Sequence, residues 1–378
     1  MPRVLVAPDK FKGSLPATEV AAAVARGLTR ARPDVEVTCL PVADGGDGTL
    51  DAAVAAGFER VPVTATGPTG EPVDTAYGRR GDTAVVEMAD VSGLVRLPGG
   101  RLAARTATSR GTGELIAAAL EAGARQVVLG IGGSATTDGG AGLLQALGAR
   151  LLDADGGELG PGGAALEHLA GLDLSGLHPA LREARVVVAC DVDNPLTGPT
   201  GAAAVYGPQK GADPDDVAFL DRCLARLADA VAEQTGRDLR DEPGAGAAGG
   251  VGFAALAVLG ATLRPGIDLL LELLDFAAHV RGTDLVVTGE GSLDEQTLHG
   301  KAPVGVARRA RAAGASVVAV CGVRKLSDDR LLDAGIDAAY ALADLEPDPA
   351  RSMAGAAPLL EVVGARVAAE RLRPPAPR

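Results

Sequence analysis

Residues 127–140 read VVLGIGGSATTDGG. A short apolar run passes directly into glycines and hydroxyls, which is how a strand of a parallel sheet hands over to a helix at the sheet's carboxyl edge. The glycines let a backbone approach a ligand closely, and amides at a helix start can hold an anion. Ser134, Thr136 and Thr137 add hydroxyls, so Gly132, Gly133 and this trio read as a phosphate cradle. The same residues fit a second template. Gly130, Gly132 and Ala135 follow a strand with Asp153 roughly 20 residues on, which is the dinucleotide fingerprint, so a nucleotide-dependent oxidoreductase stays open here.

Outward from this loop, β-branched runs alternate with Ala/Leu/Arg stretches of helical period, the pattern of βαβ units and a parallel sheet. Strands are expected at 4–7, 35–42, 127–131, 186–189, 285–288 and 317–320. Helices are expected at 17–31, 49–56, 113–122, 216–233, 269–279 and 302–313. Residues 60–95 differ, because TGPTGEP and RRGD separate short alternating segments and predict antiparallel hairpins. Plain βαβ texture returns near residue 285. The expected fold is therefore α/β, with a Rossmann- or flavodoxin-like parallel-sheet domain over 1–60 and 285–378 and a mixed α/β domain over 61–284 inserted into it. The tail from Arg373 reads as a frayed end.

Hydrophobic residues make up 47% of the 378 but aromatics only 2%, so the cores must be packed from Ala, Val and Leu. A net charge of −13 repels nucleic acid and anionic lipid and argues against both as partners. The four cysteines, 39, 190, 223 and 321, are widely spaced. Buried reduced thiols are expected from them, not a metal or disulfide framework. With no signal peptide and no long apolar run, a cytoplasmic location is expected.

Five strand ends run into loops of acids, glycines and hydroxyls. Besides 130–140 they are APDKFKGS after the first strand (Asp9, Lys10, Lys12, Ser14), VADGGDG (Asp44, Asp47), ACDVDNP (Asp191, Asp193, Asn194) and TGEGSLDE (Glu290, Ser292, Asp294). One such loop explains itself as capping, but five in register do not. Clustered carboxylates repel unless a divalent cation lies among them, and Mg²⁺ prefers one or two carboxylates plus phosphate oxygens. Of 36 Lys and Arg only five are lysine, and Lys10, Lys12, Lys210 and Lys301 stand in Gly-rich or acidic loops, where a compact ammonium suits phosphate. Gly300 and Lys301 lack the Walker A spacing, and the protein-kinase signatures are missing. Of the histidines, His168 and His178 lie in loops and His279 ends a helix; His299, beside Gly300 and Lys301, is nearest the chemistry. No Ser-His-Asp grouping emerges.

Seven motifs in order resemble the bacterial glycerate kinase family over essentially the whole chain. They are APDKFKGSL (7–15), PVADGGDGT (41–49), GTGEL (111–115), GGSATTDGGAG (132–142), DVDNPLTG (191–198), YGPQKGA (206–212), and TGEGSLD with GKAP (288–303). Departures are Asp47 where similar proteins often carry Glu, Thr137 where they carry Asn, and Arg110 where an aromatic is usual. The resemblance implies an organic-acid kinase of carbohydrate metabolism that phosphorylates D-glycerate with ATP and Mg²⁺, in two α/β domains with the active site in the interdomain cleft. It implies 2-phosphoglycerate as product, with 3-phosphoglycerate the alternative. A sensor that binds a sugar acid without turning it over is a third reading. A small-molecule substrate and a monomer or homodimer are expected.

Under this reading Lys10 and Lys12 take phosphates or the glycerate carboxylate, with Ser14 beside them. Gly132, Gly133, Ser134, Thr136 and Thr137 hold nucleotide phosphates, and Asp193, Asn194, Ser292 and Asp294 complete the binding set. Asp44, Asp47 and Glu290 hold Mg²⁺. Asp191, leaving a buried strand end, is the expected proton acceptor, and Lys301 stabilises the charge on the transferred oxygens.

Overall fold

The computed structural model describes residues 1–298 and 300–372, so the expectations for His299 and the tail from Arg373 lie outside the described residues. In chain order the strands are β1 (Arg3–Pro8), β2 (Glu36–Cys39), β3 (Glu59–Thr66), β4 (Pro72–Arg80), β5 (Thr83–Glu87), β6 (Gln126–Gly130), β7 (Arg150–Leu152), β8 (Gly171–Asp173), β9 (Arg185–Ala189), β10 (Thr262–Arg264), β11 (Leu285–Leu293), β12 (Ser316–Arg324) and β13 (Ala338–Ala341). The chain divides into two compact units. The first comprises Met1–Asp44, Asp51–Ala56 and the chain from Ile267 onward; the second comprises Gly45–Leu50 and Gly57–Gly266.

The first unit is built on one sheet in the order β13-β12-β11-β1-β2, parallel throughout. Counted within the unit this is the order 2-1-3-4-5 of flavodoxin-like folds, whose connections reverse direction between the first and third strands, here β1 and β11. Both faces are covered, as a parallel sheet requires. Leu5, Ala7, Val286, Val317 and Ala319 pack on one side with Phe276, Val280 and Val306. Val4, Val6, Val287, Val318 and Val320 pack on the other with Val20, Val24, Leu360 and Val363. The helix Ala17–Ala31 has the limits that the periodicity predicts.

Residues 269–279 do not form one helix. Asp275 takes φ 51 between Gly266–Leu273 and Phe276–Val280, because the chain turns there to bury Leu271, Leu274, Phe276 and Val280 in the first unit's core. Those residues, expected within the inserted segment 61–284, thus pack with the first unit.

The second unit carries a six-stranded sheet in the order β10-β9-β6-β5-β4-β3. β3, β4 and β5 are antiparallel, the hairpins read from residues 60–95, while β5, β6, β9 and β10 run parallel. Its core gathers Leu115, Ile116, Val127, Leu129, Val186, Val188, Leu224 and Leu227. A two-stranded pair, β7 and β8, was not signalled, since three-residue strands carry too little alternation. Cys223 and Cys321 are buried, but Cys39 is exposed and Cys190 half-buried, because Cys39 closes β2 at the sheet's edge and Cys190 follows the end of β9. No helix among the described residues is long and apolar enough to cross a membrane.

Candidate active site

In an open parallel sheet, ligands bind beyond the carboxyl ends of the strands where the connections change direction. In the first unit that point lies after β1 and β11. Pro8 pairs with Gly289, and the Asp9 amide donates to the Gly289 carbonyl at 2.8 Å, which fixes Asp9 and Lys10 beside the exit of β11. Asp9 is buried. Burial pushes its carboxyl up to about 7; Lys10 opposes the rise, and Asp44 and Glu290 add to it. The Lys10 amide donates to Asp9 Oδ1 at 2.6 Å, and Lys10 Nζ lies 3.6 Å from the same oxygen. Glu290, 8% exposed, accepts from Thr297 Oγ1 at 2.6 Å and has Lys301 Nζ at 3.8 Å. Burial raises it too, against Thr297 and Lys301, with Asp294 and Asp44 pushing the same way as burial. This edge therefore crowds carboxylates among ammonium groups, with Lys325 Nζ, a further cation, 3.8 Å from Asp294.

In the second unit the carboxyl ends of β5, β6, β9 and β10 share one edge. Residues 45–50 are laid across it, with the Gly132 amide donating to the Gly45 carbonyl at 3.1 Å. Gly133 has φ 73, and a β-carbon there would stand 2.6 Å from Asp47 Oδ1, so only glycine lets Asp47 lie over the loop. Among the described residues, the Gly133 and Ser134 amides make no hydrogen bond to the protein, leaving two donors for an anion. Deeper in, Asp138 is fully buried and accepts from the Ser109 amide and hydroxyl, the Thr108 hydroxyl and the amides of Gly140 and Gly142. Glu87, at the end of β5, accepts from the Gly48 amide at 3.1 Å and the Leu50 amide at 2.8 Å. Burial lifts it to about 7 against those two bonds.

The expected residues do not all fall together. Asp44 groups with Asp9 and Glu290, while Asp47 belongs to the second unit, since the chain passes from one unit to the other at Asp44–Gly45. No three His, Cys, Asp or Glu side chains among the described residues converge as a preformed metal nest. Ser134 is buried, the Thr136 hydroxyl donates to the Ala107 carbonyl at 2.9 Å, and Thr137 Oγ1 is buried with no hydrogen-bond partner among the described residues. Asp191 leaves β9 as an exposed carboxylate that accepts from the Gly266 amide at 2.8 Å. Asp193 is exposed, as is Lys12. Asn194 is engaged in the fold: Tyr206 Oη donates to its Oδ1 at 2.6 Å, and its Nδ2 donates to the Thr200 carbonyl. Ser14 donates to the Met353 carbonyl at 2.8 Å. Ser292 donates to Asp294, whose other oxygen accepts from the Gln296 amide. Glu87, Asp138 and Thr297 escaped the sequence reading. Glu87 ends an apolar run and Asp138 precedes a glycine pair, and only the folded chain reveals their distant partners; Thr297 stands in a polar stretch with nothing to mark its hydroxyl.

A model of the glycerate kinase family matches residues 4–371 of the chain. A glycerate kinase of Bacillus subtilis is 50% identical over 343 residues, covering 90% of each sequence, and a glycerate 2-kinase of Escherichia coli K12 is 46% identical over 346 residues with the same coverage. A crystal structure of a candidate glycerate kinase 2 from Salmonella typhimurium LT2 superposes with a TM-score of 0.85 at 43% identity, covering 97% of both chains.

Proposed function

The chain belongs to the glycerate kinase family, and on that premise we propose that it transfers the γ-phosphoryl group of ATP, with Mg²⁺, to the 2-hydroxyl of D-glycerate. The observation that carries this is the pairing of two chemistries in one chain: ammonium groups among crowded carboxylates after β1 and β11, and unpaired glycine-loop amides after β6. The first suits a phosphate and a cation, the second a polyanion.

Lys10 and Lys12 bind phosphate oxygens or the glycerate carboxylate. The amides of Gly133 and Ser134 hold the nucleotide's phosphates, and Thr136 shapes the loop from within. Asp44 and Glu290 would hold Mg²⁺; a site of few carboxylates fits an ion that takes its remaining ligands from phosphate and water. When bound, the ion supplies neutralisation of phosphate charge. Asp191 accepts the proton of the attacking hydroxyl as the new O–P bond forms and the β–γ bridging bond breaks, and Lys301 stabilises the charge spread over the transferred oxygens. Asp193, Ser292 and Asp294 frame the substrate.

One observation favours a second proton acceptor. Asp9 is a buried carboxylate at the exit of β1 with Lys10 Nζ 3.6 Å from its Oδ1, and burial raises it above the usual carboxylate range, toward the value at which a general base works best. Phosphorus NMR of a reaction with D-glycerate and ATP tests the whole: a new monoester signal coincident with 2-phosphoglycerate is expected. The signal of 3-phosphoglycerate would overturn the regiochemistry, and ATP consumption indifferent to glycerate would overturn the activity.

A further inference from the structure

Lys210 has no part in the chemistry above, yet it is among the most deeply buried large side chains of the chain, 1% exposed. It ends the turn Pro208–Lys210, and its Nζ donates to the Thr136 carbonyl at 2.6 Å. Burying an ammonium is costly, and one hydrogen bond to a neutral carbonyl does not repay it. Burial pulls this lysine from 10.5 down to about 7, with only the Asp138 carboxylate working against the fall. A methionine would fill the space without that cost, so packing does not explain the amine. What the amine adds is a donor to one carbonyl and a counter-charge for the buried Asp138 carboxylate.

That carbonyl is gripped from a second direction. A β-carbon on Gly249 would stand 2.0 Å from the Thr136 oxygen, and the Gly139 amide donates to the Gly249 carbonyl at 2.9 Å. Gly249 lies in a run of three left-handed residues, Ala248 (φ 54), Gly249 (φ 69) and Gly250 (φ 95). Such a backbone persists only where its surroundings hold it. The glycine-rich loop is thus clamped at Thr136 three residues beyond Gly133, whose amide is unpaired.

We propose that Lys210 is a positioning residue: by holding the Thr136 carbonyl against Gly249 it fixes the course of residues 132–140 and so keeps the Gly133 and Ser134 amides aimed at an anion. The consequence for catalysis rests on the reading that this loop binds the nucleotide. Two measurements on Lys210→Met separate the two ideas. Amide hydrogen exchange of peptides covering 132–140 should speed up by about tenfold or more while β6 is unchanged, and the KM for ATP should rise by about tenfold with a smaller fall in kcat. Unchanged exchange in the loop overturns the positioning role. Faster exchange with a raised KM for glycerate in place of ATP upholds the positioning role and overturns the nucleotide assignment. Lys210→Gln, which keeps an N–H donor in a shorter side chain, should show the same changes at reduced size. If the methionine variant does not fold, the glutamine variant decides by the same two readings.

Discussion

Asp9 and Asp138 are both buried carboxylates, one just past the end of β1 and the other in the loop that precedes the helix Ala141–Ala146, and the fold treats them oppositely. Asp138 accepts five hydrogen bonds, from Thr108, Ser109, Gly140 and Gly142. Asp9 accepts the amide of its own neighbour, faces one ammonium at 3.6 Å, and is pushed up to about 7 by burial with Asp44 and Glu290 nearby. A buried polar group that is fully satisfied holds a structure together, whereas one left short of partners marks chemistry. Asp138 fixes the course of the second unit's loop, while Asp9 stands at an edge of crowded charge.

The widest separation should come from breaking each side. Asp138→Ala leaves five donors without their acceptor and should destabilise the protein by roughly 3–5 kcal/mol, read from the midpoint of urea unfolding. Lys10→Met should move that midpoint little and lower kcat/KM by about 10²- to 10³-fold. A Lys10 variant that unfolds early, or an Asp138 variant of normal stability, would erase the distinction.

Next in size is the proton acceptor. Asp191→Asn keeps an oxygen for the Gly266 amide, so the loop should hold while turnover falls about 10²-fold. Near-normal turnover there, together with a large loss in Asp9→Asn, would transfer the role to Asp9. Single-turnover rates of the two variants decide it.

What the sequence made legible follows the range of the interaction. The helix Ala17–Ala31 and the hairpins of β3 to β5 are written in local period and turn residues, and they lie where the reading put them. The five acid-rich loops announce themselves by composition. Contacts between distant segments are another matter. Glu87 ends an apolar strand and looks like its first solvated residue, yet it reaches Gly48 and Leu50. Lys210 was picked out for its scarcity, and its acceptor stands 74 residues away. Asp44 and Asp47 look like a pair because they stand three positions apart, but the chain changes unit between them. Short spacing reports a shared loop, not a shared destination.

A smaller effect distinguishes the two kinds of buried charge by pH. Glu87 is held at about 7 against 4.5 unfolded, so between those values the folded state keeps a proton that the unfolded chain has lost. Its contribution to stability is fully present below about 4.5 and fades as pH rises to about 7. Lys210 is held at about 7 against 10.5, so above 7 the unfolded chain binds the extra proton and the contribution grows toward 10.5. Urea midpoints from pH 5 to 9 should show Glu87→Gln flattening the lower limb and Lys210→Met the upper. If either variant left its limb unchanged, the group named would not be the one that titrates.

The smallest effect tests the comparison where it is least tidy. Within the loop that Asp138 holds in shape, Thr137 Oγ1 is buried and unpartnered among the described residues, which is the condition that marks chemistry elsewhere. Thr137→Val replaces the hydroxyl by a methyl of similar size, so it removes an uncompensated polar atom and should stabilise the fold by up to about 1 kcal/mol. If the hydroxyl serves only the packing of the loop, the KM for ATP stays where it was. A raised KM with the same gain in stability would show that the nucleotide reaches Thr137, so that the ligand-binding part of the loop extends from the Gly133 and Ser134 amides to a buried side chain.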